Sequence, residues 1–136
     1  MASHDVLKVS AYHYKDASKT DEEFETHFHN IINHDWVELV KRHNVFKYAV
    51  TYTPSSMSAA LAETVGKVRP GWTVGTAHAA VLTYYVRDME HMLELVKDPE
   101  YQTKGRVPET GWIDSSKGQI SIVYEKAYTE NGGIVD

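Results

Sequence analysis

Four stretches of this chain alternate apolar and polar residues with a period of two, and the stretches between them repeat at helical spacing. In the first, Leu7 to Tyr14, Leu7, Val9, Ala11 and His13 share one face, and Lys8, Ser10, Tyr12 and Tyr14 the other. Thr20 followed by Glu23 forms a capping box, in which hydroxyl and carboxylate satisfy free amides of a first helical turn. A helix is predicted from Asp21 to about His43, with Phe24, Phe28, Ile31, Ile32, Trp36, Leu39 and Val40 as its apolar stripe. Asn33 and Asp35 allow a kink midway, and Asn44 is a helix stop. Val45 to Thr53 is the second strand, with Phe46, Tyr48, Val50 and Tyr52 alternating with Lys47, Ala49 and Thr51, and Pro54 ends it. A short helix is expected over Met57 to Val65, then a loop from Gly66 to Gly75. Ala77 to Val86 reads as a third strand buried on both faces. Asp88 is an N-cap for a helix to Lys97 that turns Met89, Met92, Leu93 and Val96 inward. Tyr101 to Gly118 reads as irregular, Gln119 to Tyr128 as the fourth strand, and Thr129 to Asp136 as a Gly-rich tail suited to an arm over a partner subunit.

The order strand, long helix, strand, short helix, strand, helix, strand is the split β-α-β pattern of an α+β ferredoxin-like sandwich. One domain over residues 1–136 is expected, its core from about 7 to 128. Helices on one face leave the other face of the sheet bare, and outward residues such as Val81, Tyr85 and Val123 call for a covering second copy. The expected assembly is a homodimer forming a dimeric α/β barrel.

Composition narrows the chemistry. The chain has no cysteine, which removes a disulfide framework, a thiolate metal site and a cysteine nucleophile together. Nineteen acidic against 14 basic residues give a formal charge of −5, with no basic run, so a nucleic-acid partner is not expected. No apolar run approaches the ~20 residues that cross a bilayer. Met1 to Lys8 shows no hydrophobic signal region, so a cytoplasmic location is expected, without membrane contact.

Eight histidines and nine tyrosines stand out in 136 residues. Many fall at inward positions, where each must be hydrogen-bonded or line a cavity. Histidine titrates near neutrality, which suits it to acid–base work. His27 and His34 stack on one helix face two turns apart, bordering the apolar stripe; they are either boundary residues or acid–base groups. His13 lies on the apolar face of the first strand, as a hydrogen-bonded core residue or a pocket residue. His78 opens the third strand, where capping, an interface and catalysis are all open. His43 sits at a helix end, where a cation complements the dipole. His29 points away from the stripe, and His4 and His91 carry no assigned role. Tyr48, Tyr52 and Tyr84 present phenols for hydrogen bonding, with Trp36 and Trp72 as walls; each aromatic also reads simply as core. The seven-residue step from His27 to His34 spans ~10 Å, too far for two ligands of one ion. Neither metal nor organic cofactor is expected, and no phosphate loop or nucleophile elbow occurs.

An ordered set of residues carries a family resemblance: Lys8-Val9-Ser10, His13-Tyr14, Glu22-Glu23-Phe24, Arg42-His43, Tyr48, Tyr52-Thr53-Pro54, Trp72-Thr73-Val74, Arg87-Asp88 and Asp98-Pro99-Glu100-Tyr101. Together they resemble fungal EthD-domain proteins of the dimeric α/β-barrel superfamily, from roughly Leu7 to Tyr128. The resemblance implies an aromatic polyketide ligand. Among such proteins are decarboxylases of anthraquinone-type acids, with cofactor-free anthrone monooxygenases and polyketide cyclases as more distant relatives. It also marks a departure: relatives carry a histidine mid-helix where this chain has Ile32, counting back from Arg42-His43.

The expected activity is a cofactor-independent lyase that decarboxylates an aromatic polyketide acid. His27 or His34 would donate the proton, His13 would partner it, and Tyr52 would stabilise the enolate oxygen. Trp36, Tyr48, Trp72, His78 and Tyr84 would hold the substrate. A cyclase or dehydratase, a cofactor-free monooxygenase, and a non-catalytic polyphenol-binding protein are the alternatives.

Overall fold

The alternating runs pair into one antiparallel sheet. The computed structural model describes residues 6–53, 55–74 and 80–135, without the side chains of residues 34 and 55. The strands are β1 (Leu7–His13), β2 (Lys47–Tyr52), β3 (Ala80–Val86) and β4 (Gln119–Tyr124), in the order β2-β3-β1-β4. Every neighbouring pair is antiparallel. β1 and β2 are not neighbours, nor are β3 and β4, because a helical segment crosses between each pair, whereas β2 and β3 pair directly; this is the ferredoxin-like α+β arrangement that the periodicities predict. Residues directly opposite one another share a face. The register Val9↔Tyr84, Ala11↔Leu82, His13↔Ala80 and Ala11↔Ile120 therefore puts His13 and Tyr84 on the helix-covered side.

The first helix, α1 (Asp21–Ile31), starts at the capping box: the Glu23 amide donates to Thr20 Oγ1 at 3.1 Å and the Thr20 amide to Glu23 Oε1 at 3.0 Å. Thr20→Ala should cost about 1 kcal/mol. Urea unfolding checks this, and an unchanged midpoint would contradict it. The predicted mid-helix kink is a π turn, Ile32–Trp36, after which α2 (Val37–Arg42) continues to His43. Asn44 then takes φ 60°, the left-handed conformation that a helix stop needs. Phe24, Phe28, Trp36, Leu39 and Val40 are buried against Val9, Leu82, Tyr84 and Val86, forming the core.

Several elements differ from expectation. Helix α3 runs Ser55–Val68, carrying on through Gly66 where a loop was expected, and it is exposed along nearly all its length. Pro54 and the start of the third strand, residues 77–79, lie outside the described residues. On α4 (Met89–Lys97), capped by Asp88 at the Glu90 amide, the buried side chains are Met92 and Leu95. Met89, Leu93 and Val96 are exposed, a correction to the predicted inward face. They line a groove with Ile120 and Ile122, so α4 rests on the sheet by one edge of its stripe and leaves the flank above edge strand β4 uncovered. The stretch expected to be irregular holds a second π turn, Gln102–Arg106, and one helical turn, α5 (Val107–Glu109). Strand β4 ends at Tyr124, short of the predicted Tyr128. The tail folds as a hairpin of β5 (Thr129–Glu130) and β6 (Gly133–Ile134). Its turn is Asn131-Gly132 at φ 53° and 79°, the pairing that a two-residue type I′ turn selects. Among the described residues no helix is long and apolar enough to cross a membrane.

Candidate active site

Between the sheet and its helices lies an apolar cavity with about 630 Å³ of space free of protein atoms, part of it open to solvent. Ala11, Leu82 and Tyr84 form its floor, and Phe28, Ile31, Ile32 and Trp36 one wall. Met92, Leu95 and Tyr101 stand opposite, and His13, Arg106 and Glu109 are the polar groups that enter it with the phenols. A concave, mostly apolar site with a few convergent polar groups is the usual form of a small-molecule site.

His13 is there because strand alternation points the last residue of β1 under the helices. Its Nδ1 is buried, has no hydrogen-bond partner among the described residues, and lies 3.9 Å from Glu109 Oε2. The ring meets Phe28 edge-on at 6.0 Å between centroids. Burial in this apolar surrounding lowers the His13 pKa. Glu109 closes α5, and burial pushes its carboxyl up to about 7, with nearby Arg106 opposing the shift. A neutral imidazole thus faces a carboxyl group that is half protonated near neutrality.

The aromatic groups are held neutral. The Trp36 N–H donates to the Tyr48 phenol at 3.1 Å, and the Tyr48 and Tyr84 rings lie 4.8 Å apart. Burial raises both phenols well above their ordinary pKa, with the Trp36 bond opposing this at Tyr48. Tyr101 is half-buried, its pKa also raised by burial, and its phenol has no hydrogen-bond partner among the described residues.

The remaining predicted site residues are dispersed. His27 Nε2 donates to the Pro108 carbonyl at 2.8 Å, and its ring stacks on Trp112 at 3.8 Å and 9°. It clamps α1 to the segment that carries Glu109, the residue after Pro108. Tyr52 lies beyond the cavity, in a shallow groove along edge strand β2 with His29, Ile32 and Val50. Trp72 is 59% exposed, its ring 4.0 Å beneath the Arg69 guanidinium. His43 pairs with Asp98 at 2.7 Å, beside the Arg42–Glu100 pair at 2.7 Å, tying the end of α2 to the segment after α4. The His34 side chain and His78 fall outside the described residues. Of the proposed residues, His13, Trp36 and Tyr84 meet at the cavity, with Tyr48 bonded behind Trp36. Ile32, where relatives are expected to carry histidine, is part of the cavity wall.

Sequence reasoning missed Glu109, Tyr101, Arg106 and Gly105, all from the stretch read as irregular. One local signal was present: Pro108 in the first turn of a helix, followed by an acidic residue. Among the described residues no group of three or more His, Cys, Asp or Glu is placed to hold a metal ion.

No family model matches the sequence. A dehydratase, iacD of the fungus Pestalotiopsis fici, is 32% identical over 136 residues, spanning all of this chain and 97% of that protein. A dimeric protein of ferredoxin-like fold from Bacteroides fragilis superimposes with a TM-score of 0.58 at 10% identity, over 89% of this chain and 97% of that one. An EthD-family protein from Bacillus halodurans gives 0.51 at 13% identity, over 89% and 99% respectively.

Proposed function

This chain belongs to the family of the fungal dehydratase iacD and has a ferredoxin-like fold that it shares with an EthD-family protein, and from that premise we propose that it is a lyase that removes water from a β-hydroxyketone on an aromatic polyketide skeleton, without a cofactor. The observation that carries the reading is the His13–Glu109 pair at 3.9 Å inside an apolar cavity. Their environments leave the histidine unprotonated and the carboxyl protonated in one pH window, which is the division of labour an elimination needs.

The steps balance within the pair. Neutral His13 takes the proton from the carbon beside the ketone, and Tyr101 hydrogen-bonds the oxygen on which negative charge gathers. The electrons of that C–H bond form the carbon–carbon double bond as the β C–O bond breaks. Glu109 gives its proton to the leaving hydroxyl, which departs as water. The imidazolium then returns a proton to the Glu109 carboxylate, and both groups are reset. Trp36 and Phe28 offer faces on which an aromatic substrate stacks. His27 acts at one remove, holding through the Pro108 carbonyl the turn that presents Glu109.

A second reading, decarboxylation of an aromatic polyketide acid, is favoured by one observation. Arg106 lines the cavity, and its guanidinium makes no ion pair among the described residues, so it is available to a substrate carboxylate. Mass spectrometry of the protein mixed with a β-hydroxyketone bearing a carboxyl group separates the two. A product lighter by water supports dehydration. A product lighter by carbon dioxide overturns it in favour of the second reading.

A homodimer is part of the same proposal. Helix α3 shows an exposed apolar stripe of Met57, Leu61 and Val68, and the tail hairpin exposes Tyr128 and Ile134. Edge strand β4 adds Ile120 and Ile122, and the structural relative from Bacteroides fragilis is described as dimeric. Light scattering should give twice the chain mass of 15.4 kDa. Leu61→Glu, which puts a charge into the stripe, should shift the protein to monomer. A monomeric wild type would contradict the proposal.

A further inference from the structure

Two of the cavity-lining residues approach each other more closely than any side chain would permit. A methyl group built on Gly105 would stand 2.6 Å from Trp36 Cζ3, with two further ring carbons at 3.1 and 3.2 Å. Both residues sit in π turns, Trp36 at the end of Ile32–Trp36 and Gly105 within Gln102–Arg106, and the two turns face each other across one end of the cavity. A π turn inserts one residue into a helical frame and re-aims its side chains, and such turns gather at functional sites.

The indole is fixed on its other sides as well. Its N–H is committed to the Tyr48 phenol, and the Tyr101 ring lies 5.8 Å away. The same ring lines the cavity, and a methyl group at 105 would press it toward that space. We infer that Gly105 and Trp36 together gauge the size of the ligand: the missing side chain at 105 lets the indole sit back and leaves room for the larger of two planar fused-ring ligands. The inference rests on the cavity being the substrate site, and its test reads binding alone, so it stands or falls separately from the reaction proposed above.

The experiment is calorimetric titration of the whole protein with two probes, naphthol with two rings and a dihydroxyanthraquinone with three. Wild type should bind both. Gly105→Ala drives the indole inward, so it should weaken the three-ring phenol by about tenfold and the two-ring phenol much less. Adding Trp36→Phe to Gly105→Ala removes the obstructing ring edge and should restore the three-ring phenol. Equal affinities in wild type and Gly105→Ala would overturn the inference, as would failure of the double variant to restore binding, or failure of wild type to bind either probe. If Gly105→Ala does not fold, Trp36→Phe alone decides: it should favour the three-ring over the two-ring phenol relative to wild type, and an unchanged ratio overturns the inference.

Discussion

Glu109→Gln is expected to lower turnover of a β-hydroxyketone by about a thousandfold, the middle of the range for one general acid. Glutamine keeps the shape of the side chain but has no proton to give a leaving hydroxyl. Substrate binding should change little, so the loss belongs in kcat. The pH profile carries a second signature. The rate needs His13 without its proton and Glu109 with one. It should rise through a histidine pKa below 6.5, lowered by burial, and fall through a carboxyl pKa of about 7. The two limbs are macroscopic values of the interacting pair. In Glu109→Gln the falling limb should vanish, and its persistence would assign the acid elsewhere.

The same residue should leave a mark on stability. The folded state holds the Glu109 proton up to about pH 7, whereas an unfolded chain releases it near the ordinary 4.5. Between these values the folded state binds more protons, so this group's contribution falls as pH rises and is at its least favourable above 7. His13 works in the opposite sense: its lowered pKa makes the folded state lose stability as pH drops below 6.5. Glu109→Gln should therefore melt higher than wild type at pH 8 and lose that advantage at pH 5. An advantage that is the same at both values would contradict a buried, ionising carboxyl.

The second large effect concerns the floor of the fold. Phe24→Ala should destabilise the chain by about 3–5 kcal/mol, the usual cost of removing a buried phenylalanine. Phe24 is 1% exposed and stacks on Phe28 at 4.3 Å, and Phe28 in turn touches the His13 ring and lines the cavity. The cavity left by the mutation has few ways to collapse, because α1 is capped at Thr20 and clamped at His27. Urea unfolding measures the loss, and a cost below about 1 kcal/mol would mean that the site is roomier than its packing implies.

How much of this was legible in the sequence depends on what each part rests on. The strands and first helix could be read because Leu7 to His13 alternates apolar and polar residues, Phe24 to Val40 repeats apolar residues at helical spacing, and the capping box and Asn44 mark the helix ends. That His13, Trp36 and Tyr84 face inward, where the cavity lies, was legible for the same reason: strand and helix alternation fixes which way they face. Glu109 was not. Its position depends on a π turn and a single helical turn, elements too short to leave a period, and on a contact between residues far apart in the chain. His27 misleads in the other direction. Its spacing puts it at the edge of the apolar stripe, but only the folded structure shows that Pro108 and Trp112 occupy that edge. Gly105 looks like a loop glycine until Trp36 is seen against it.

The most direct measurement is the titration of the Glu109 carboxyl carbon by NMR in protein labelled at glutamate, with Glu109→Gln to assign the signal. A midpoint near 7 is the result expected of a carboxyl desolvated beside His13. A midpoint near the ordinary 4.5 would mean that the group is ionised throughout the working range, and the acid–base pair at the centre of this account would be lost.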